Sequence, residues 1–227
     1  MTRRKVILVI VEGPSDETAL SVLHKLYDEQ RVHIEITHGD ITTRCGVGPQ
    51  NVVKKVNEYV KKAMDYGGFR RTDFLRIIHI TDTDGVYVAD DKVFLDPGRD
   101  KVRYEPDGIY TKSPSDIARR NECKRRNLLV LRSCGTIQTI PYRIYYMSCN
   151  LDHVLFDSRN LSDDEKENLS YAFAEQYRSD TDGFVRFICE SEFSVNGDYR
   201  ESWKYIEENG NSLQRHTNFS ICLRGDM

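Results

Sequence analysis

The residues of this chain best suited to chemistry are acids that stop apolar runs. Val6 to Val11 is followed by Glu12-Gly13-Pro14-Ser15, and Phe74 to Thr81 by Asp82-Thr83-Asp84-Gly85. In an open parallel sheet, ligands collect beyond the carboxyl ends of the strands, where the connecting loops converge. Alternate residues beyond a strand can project to the same side, so a D-x-D step delivers two carboxylates to one point. Glu12, from a neighbouring strand, would complete an all-oxygen site. Such a cluster repels itself when empty, and a hard cation relieves the repulsion; carboxylate and water ligands suit magnesium or manganese.

Particular elements must carry those acids to one sheet edge. Lys5 to Val11 is an aliphatic run rich in β-branched residues, the pattern of a central parallel strand covered on both faces. Ser15 is placed to cap a helix from Asp16 to about Glu29, with Ala19, Leu20, Leu23, Leu26 and Tyr27 on one face. Val32 to Thr37 alternates as a second strand, Pro49 opens a helix to about Tyr66, and Phe74 to Thr81 is the third strand. Strands alternating with helices predict right-handed crossovers and a parallel sheet. Val86 to Lys112 is rich in Asp, Gly and Pro and reads as an insertion with a hairpin at Pro106-Asp107-Gly108. A helix from Pro114 or Ser115 to about Arg132 and a fourth strand, Tyr142 to Cys149, follow. Helical spacing recurs at Asn150 to Phe156, Asp163 to Tyr177, Gly183 to Ser191 and Tyr199 to Glu208, while the final RHTNFSICL fits neither period. The expected fold class is α/β, a largely parallel sheet flanked by helices. A core over residues 1–157, with its insertion at about 86–112, precedes a mainly helical region over 158–227.

The order strand-E-G-x-x-D-helix, then strand-helix-strand-D-x-D-G, resembles the Toprim domain shared by topoisomerases, bacterial primases, the small 5S-rRNA maturases and the nucleases of the overcoming-lysogenization-defect family. The segments that carry the resemblance are VIVEGPSDETAL at Val9 to Leu20 and IIHITDTDG at Ile77 to Gly85, within a span of about residues 5–155. It implies a Toprim-like fold in which Glu12 is a general acid/base or a metal ligand and Asp82 and Asp84 hold Mg2+ or Mn2+. Asp16 is then a further acid that ligates or orients. The activity implied is metal-dependent phosphodiester hydrolysis of DNA or RNA, in phage defence or nucleic-acid processing. No one of thirteen tyrosines stands out as a transesterification nucleophile, which disfavours topoisomerase chemistry. The family nucleases often add a second acidic cluster and a late lysine; here Asp90, Asp91 and Asp152, and Lys204, are the candidates. The alternative is a non-catalytic Toprim-like module that binds nucleic acid or a partner protein.

A phosphodiester is anionic, so basic residues are needed near the entrance of a carboxylate-rich site. Arg119, Arg120, Lys124, Arg125, Arg126 and Arg132 offer them, although helical geometry does not put all of them on one face. The plain alternative is a solvated basic helix with Ile117, Leu128 and Leu131 inward. The formal net charge of -3 conceals a division. Ser113 to Asn150 holds seven Arg/Lys against two acids, whereas Leu151 to Met227 holds eight against sixteen. The first segment suits a polyanion, and the second a protein partner or water.

Composition narrows the classes further. At 227 residues the chain can bury a core without staples, and 30% charged residues with no apolar run near ~18 predict no membrane span. The basic start followed by Val6 to Val11 lacks the length and cleavage site of a signal peptide, so a cytoplasmic protein is expected. Six scattered cysteines, without a C-x-x-C pair, argue against a zinc site or disulfide framework and for a reducing compartment. His79, inside a strand, is expected to be structural. His38, His153 and His216 can approach strand ends, but no spacing ties them together.

Overall fold

Val6 to Val11 are all buried, because the strand they form, β1 (Lys5–Val11), is hydrogen-bonded on both sides. The computed structural model describes residues 5–28, 32–98 and 100–225. The basic start and Glu29 lie outside those residues. The protein is α/β, with a mixed, mostly parallel sheet of five strands flanked by helices. Its order is β2 (Val32–His38), β1, β3 (Phe74–Asp82), β8 (Ile140–Met147), β7 (Thr136–Ile137). Both neighbours of β1 run parallel to it, Ile7 opposite Ile34 on one side and Ile10 opposite His79 on the other. The short β7 runs antiparallel to β8, with Ile137 opposite Ile140.

The chain divides into two compact units. The first comprises Met1–Ile80, Arg126–Ile144 and Glu167–Phe184. Helices α1 (Pro14–Ala19) and α2 (Val22–Asp28) follow β1, and α3 (Val52–Gly67) turns Val52, Val56, Val60 and Ala63 inward. The expected single helix after β1 is therefore two. Ser21 and Leu23 make i→i−3 bonds to Thr18 and Leu20, a local tightening that divides the helix while leaving its apolar face continuous. The N-cap is Gly13 and not Ser15. Pro14 takes the first helical position, where its missing N–H costs nothing, and Asp16 accepts the Gly13 amide at 2.9 Å. His79 is buried, as expected of a structural residue, with Nδ1 2.8 Å from the Tyr142 hydroxyl.

The second unit comprises Thr81–Arg125, Tyr145–Lys166 and Val185–Met227. Its small sheet, in the order β4 (Val93–Leu95), β6 (Gly108–Thr111), β5 (Arg103–Glu105), occupies the expected insertion. β5 and β6 form the antiparallel hairpin read at Pro106-Asp107-Gly108. Val88, Val93, Ile109, Ile117, Cys149 and Leu213 pack into one cluster beneath it. Helices α5 (Leu151–Phe156), α8 (Tyr199–Glu207) and α9 (Phe219–Arg224) belong here, and α9 resolves the ambiguous RHTNFSICL. This tail is tied to the end of β8. The amide of Tyr146 donates to Asn218 Oδ1, the Tyr146 hydroxyl donates to the Ser202 carbonyl, and its ring meets Trp203 edge-on at 5.1 Å. Helices α4 (Pro114–Ser133), α6 (Asp163–Tyr177) and α7 (Thr181–Glu190) are also formed.

Candidate functional site

Two of the sequence-predicted acids stand where β3 ends, in a turn that the backbone holds in place. The amide of Thr83 donates to the Met147 carbonyl and that of Asp84 to the Cys149 carbonyl, at 2.9 and 2.7 Å. The Thr83 hydroxyl accepts the Cys149 amide and donates to the Ser212 carbonyl. Asp84 and Gly85 are both left-handed, with φ of 51° and 63°. Glycine is required at the second position for space as well as conformation, since a Cβ there would lie 2.7 Å from Leu213 Cδ2.

The two aspartates have different surroundings. Asp82 is half-buried, and its Oδ1 accepts the Leu151 amide at the start of α5 at 2.9 Å. Asp84 faces a buried cation: Lys124 Nζ lies 2.5 Å from Oδ2, and the Lys124 side chain is 0% exposed. The Tyr104 hydroxyl donates to Asp84 Oδ1 at 3.3 Å. Arg120 donates to that hydroxyl at 2.9 Å, to the Asp84 carbonyl at 2.8 Å and to Asn121 Oδ1. Tyr104 is held in turn through its backbone by both amide atoms of Asn160. Burial by itself would raise the Asp84 carboxyl, but Lys124 and Arg120, with the hydrogen bonds from Lys124 and Tyr104, hold it below its ordinary value. Burial first, and the Asp84 charge second, push the Tyr104 hydroxyl upward. The Cys149 thiol is pushed up by burial, then by Asp84 and Asp82, so it stays protonated.

In the first unit, Glu12 is half-buried directly after β1. Asp16 closes the turn that follows, its Oδ2 accepting the Gly13 amide at 2.9 Å. His38 is paired with Glu17 at 2.8 Å.

The basic helix α4 is sorted by its faces. Arg119 is 81% exposed beside Asp116, Arg126 is exposed, and Arg125 is half-buried against Glu122 and the Val86 carbonyl. Arg120 and Lys124 depart from the solvent-facing set they were expected to join. They turn toward the D-T-D turn, and what they bind is the protein's own carboxylate and carbonyl. A signal for this was present in the spacing: Ile117, Lys124, Leu128 and Leu131 fall on one helical face, and all four are buried. Tyr104 carried no comparable signal, because the hairpin brings it to Asp84 from a distant part of the chain. Of the second-cluster candidates, Asp152 is buried and paired with Lys166 at 2.9 Å, while Asp90, Asp91 and Lys204 are exposed.

Among the described residues, no three His, Cys, Asp or Glu side chains are grouped so as to hold a metal ion. Glu12 and Asp82 are half-buried carboxylates, the hard oxygen type that suits magnesium or manganese. Asp84 differs from both, since its Oδ2 already faces the Lys124 ammonium and its Oδ1 the Tyr104 hydroxyl. No family model matches the chain, and no curated protein or solved structure is significantly similar to it. No described helix is long and apolar enough to cross a membrane.

Proposed function

We propose that the chain is a magnesium- or manganese-dependent nuclease, hydrolysing phosphodiesters in DNA or RNA, in phage defence or nucleic-acid processing. One observation carries the reading: β1 and β3 are parallel neighbours, and each runs at its carboxyl end into an acid, Glu12 after the first and Asp82 at the close of the second. That is the sheet edge where open α/β folds place their ligands. By the resemblance, the carboxylates that would hold the cation include Glu12 and Asp82, and Asp16 closes the turn that follows Glu12. A bound cation would supply neutralisation of the phosphate oxygens and a more acidic water. Glu12 is also placed by the resemblance to take a proton from the attacking water. Arg119 and Arg126, seven residues apart and exposed on one face of α4, offer two cations to a phosphate backbone.

The test is incubation of the purified protein with end-labelled single- and double-stranded DNA and RNA, with manganese and with chelator. Cleavage of at least one substrate that requires manganese is expected. Four intact substrates would contradict the reading.

A second reading is favoured by one specific observation, the closure of Asp84 by Lys124. It is a non-catalytic module of the same fold that binds nucleic acid through α4 or a protein through the acidic carboxyl-terminal region. Salt-sensitive nucleic-acid binding without manganese-dependent cleavage would select it.

A further inference from the structure

Strand β2 is an edge of the five-stranded sheet, and nothing in its sequence blunts that edge. We propose that β2 is an interface between two copies of the chain, paired antiparallel about Ile34 so that the sheet continues from one copy into the other. The pairing is independent of the nuclease reading.

The ladder fixes which backbone groups look outward. Gly39 donates its amide to the Val11 carbonyl, and the register with β1 is unbroken from Lys5 opposite Val32 to Val11 opposite His38. Alternate residues of a strand turn their backbone groups to opposite sides, so His33, Glu35 and Thr37 bond to β1 while Val32, Ile34 and Ile36 present theirs at the open edge. Among the described residues, none is bonded to those outward groups. Such a row is a template for another strand unless shortness, proline, lysine or a bulge spoils it. β7, at the opposite edge, is two residues long, whereas β2 has seven and none of those devices. A groove of about 300 Å³, lined by His24, Lys25, Asp28, Val32, His33 and Ile34, lies beside its first half.

Charge selects the occupant and the register. With the outward groups on Val32, Ile34 and Ile36, two antiparallel copies of β2 can pair about Ile34, Glu35 or Ile36. Pairing about Glu35 sets two carboxylates directly opposite each other, which is unfavourable. Pairing about Ile36 sets Ile34 against His38, which is already held by Glu17. Pairing about Ile34 sets His33 across from Glu35 twice, Val32 across from Ile36 twice, and Ile34 across from itself. His33 and Glu35 already meet within the chain at 3.3 Å, so the two cross-strand pairs close a square in which each imidazole borders two carboxylates. On the other face, Val32 and Ile36, half-buried in the single chain, join the buried Ile34 in an apolar stripe across the junction.

Sedimentation equilibrium of the full chain, read beside hydrogen exchange of its backbone amides, tests the pairing. One strand pair is a small interface, so a dimer with a dissociation constant on the order of 10–100 μM is expected. The Ile34 and Ile36 amides should exchange more slowly as concentration rises through that range. Ile36→Pro removes an outward amide that the single chain does not use, so the variant should fold and associate about tenfold more weakly or worse. His33→Glu sets acid against acid at both cross-strand pairs and should weaken association by about fivefold or more, and adding Glu35→Lys should restore most of that loss. A wild type that stays monomeric to about 1 mM would overturn the proposal. So would a dimer that forms equally well with Ile36→Pro, or one whose Ile34 and Ile36 amides gain no protection. Equal weakening by His33→Glu alone and by the double variant would overturn the pairing about Ile34. Should Ile36→Pro fail to fold, the amide protection and the charge variants, which change two partly exposed side chains, decide the matter.

Discussion

The carboxylate of Asp82 accepts the backbone N–H of Leu151 at 2.9 Å, joining the end of β3 to the first turn of α5. A group proposed to serve chemistry thus also serves the fold, and two substitutions separate the roles. Asp82→Asn keeps an oxygen for the Leu151 amide, so unfolding in urea should change by less than about 1 kcal/mol, whereas Asp82→Ala leaves that amide without its acceptor and should cost about 1–3 kcal/mol. Both should lose manganese-dependent cleavage. Equal stability of the two variants would show that the hydrogen bond is not a structural tie.

Gly85 offers a test of the turn itself. Gly85→Ala puts a side chain on a residue with φ of 63° and drives a Cβ toward Leu213 and Ile109. Strain of this kind costs about 1–3 kcal/mol, more if the packing cannot move. The same substitution at Gly135, where a Cβ would meet nothing within 4 Å and the φ is not left-handed, should be close to neutral or slightly stabilising. Urea titration of the two variants should therefore diverge, and equal midpoints would contradict the account of the turn.

Much of the sheet could be read from the chain because its strands are apolar for a physical reason. β1 lies between two parallel neighbours, so its six buried residues have no polar option, and an unbroken aliphatic run results. Helix α6 was legible to the residue, and the hairpin at Pro106-Asp107-Gly108 was visible in its turn chemistry. The break at Leu20–Ser21 was not, because two short helices that keep one buried face have the spacing of a single long one. At the site, the acids were legible as types at strand ends, while their partners were not. A lysine in a basic helix looks like a solvated charge until its position relative to Leu128 and Leu131 is weighed. Tyr104 reaches Asp84 through tertiary structure that no local spacing encodes.

His153 should make stability depend on pH. Its side chain is 1% exposed, and burial, followed by the nearby Arg159 charge, lowers its pKa from 6.5 to about 4. Below pH 6.5 the unfolded chain takes up a proton that the folded imidazole refuses until pH nears 4. The stability tied to neutral His153 is thus fully present above 6.5 and lost progressively toward 4, a change of up to about 3 kcal/mol. His153→Leu should flatten the unfolding free energy over that interval relative to wild type. Parallel profiles would place the acid sensitivity elsewhere.

The exposed face of α4 should behave as an electrostatic contact and nothing more. Arg119→Ala and Arg126→Ala should each weaken nucleic-acid binding and reduce the slope of log affinity against log salt by about 1, with little effect on melting. Arg120→Ala, which breaks bonds to Tyr104 and to the Asp84 carbonyl, should instead lower the melting temperature. Titrations at several salt concentrations beside thermal melts distinguish these behaviours. Salt slopes unchanged in both exposed variants would remove α4 as a nucleic-acid contact.

The central claim is catalysis at the carboxyl ends of β1 and β3, and its most direct measurement is the single-turnover rate of phosphodiester cleavage under saturating manganese for wild type, Glu12→Gln and Asp82→Asn. Glu12→Gln keeps size and hydrogen bonding but cannot take a proton, so the account predicts retained substrate binding with a rate reduced by ~10²-fold or more. Asp82→Asn should fold and fail to cleave, through loss of the cation. Cleavage by both variants at the wild-type rate would contradict the account and leave the two acids as structural ends of their strands.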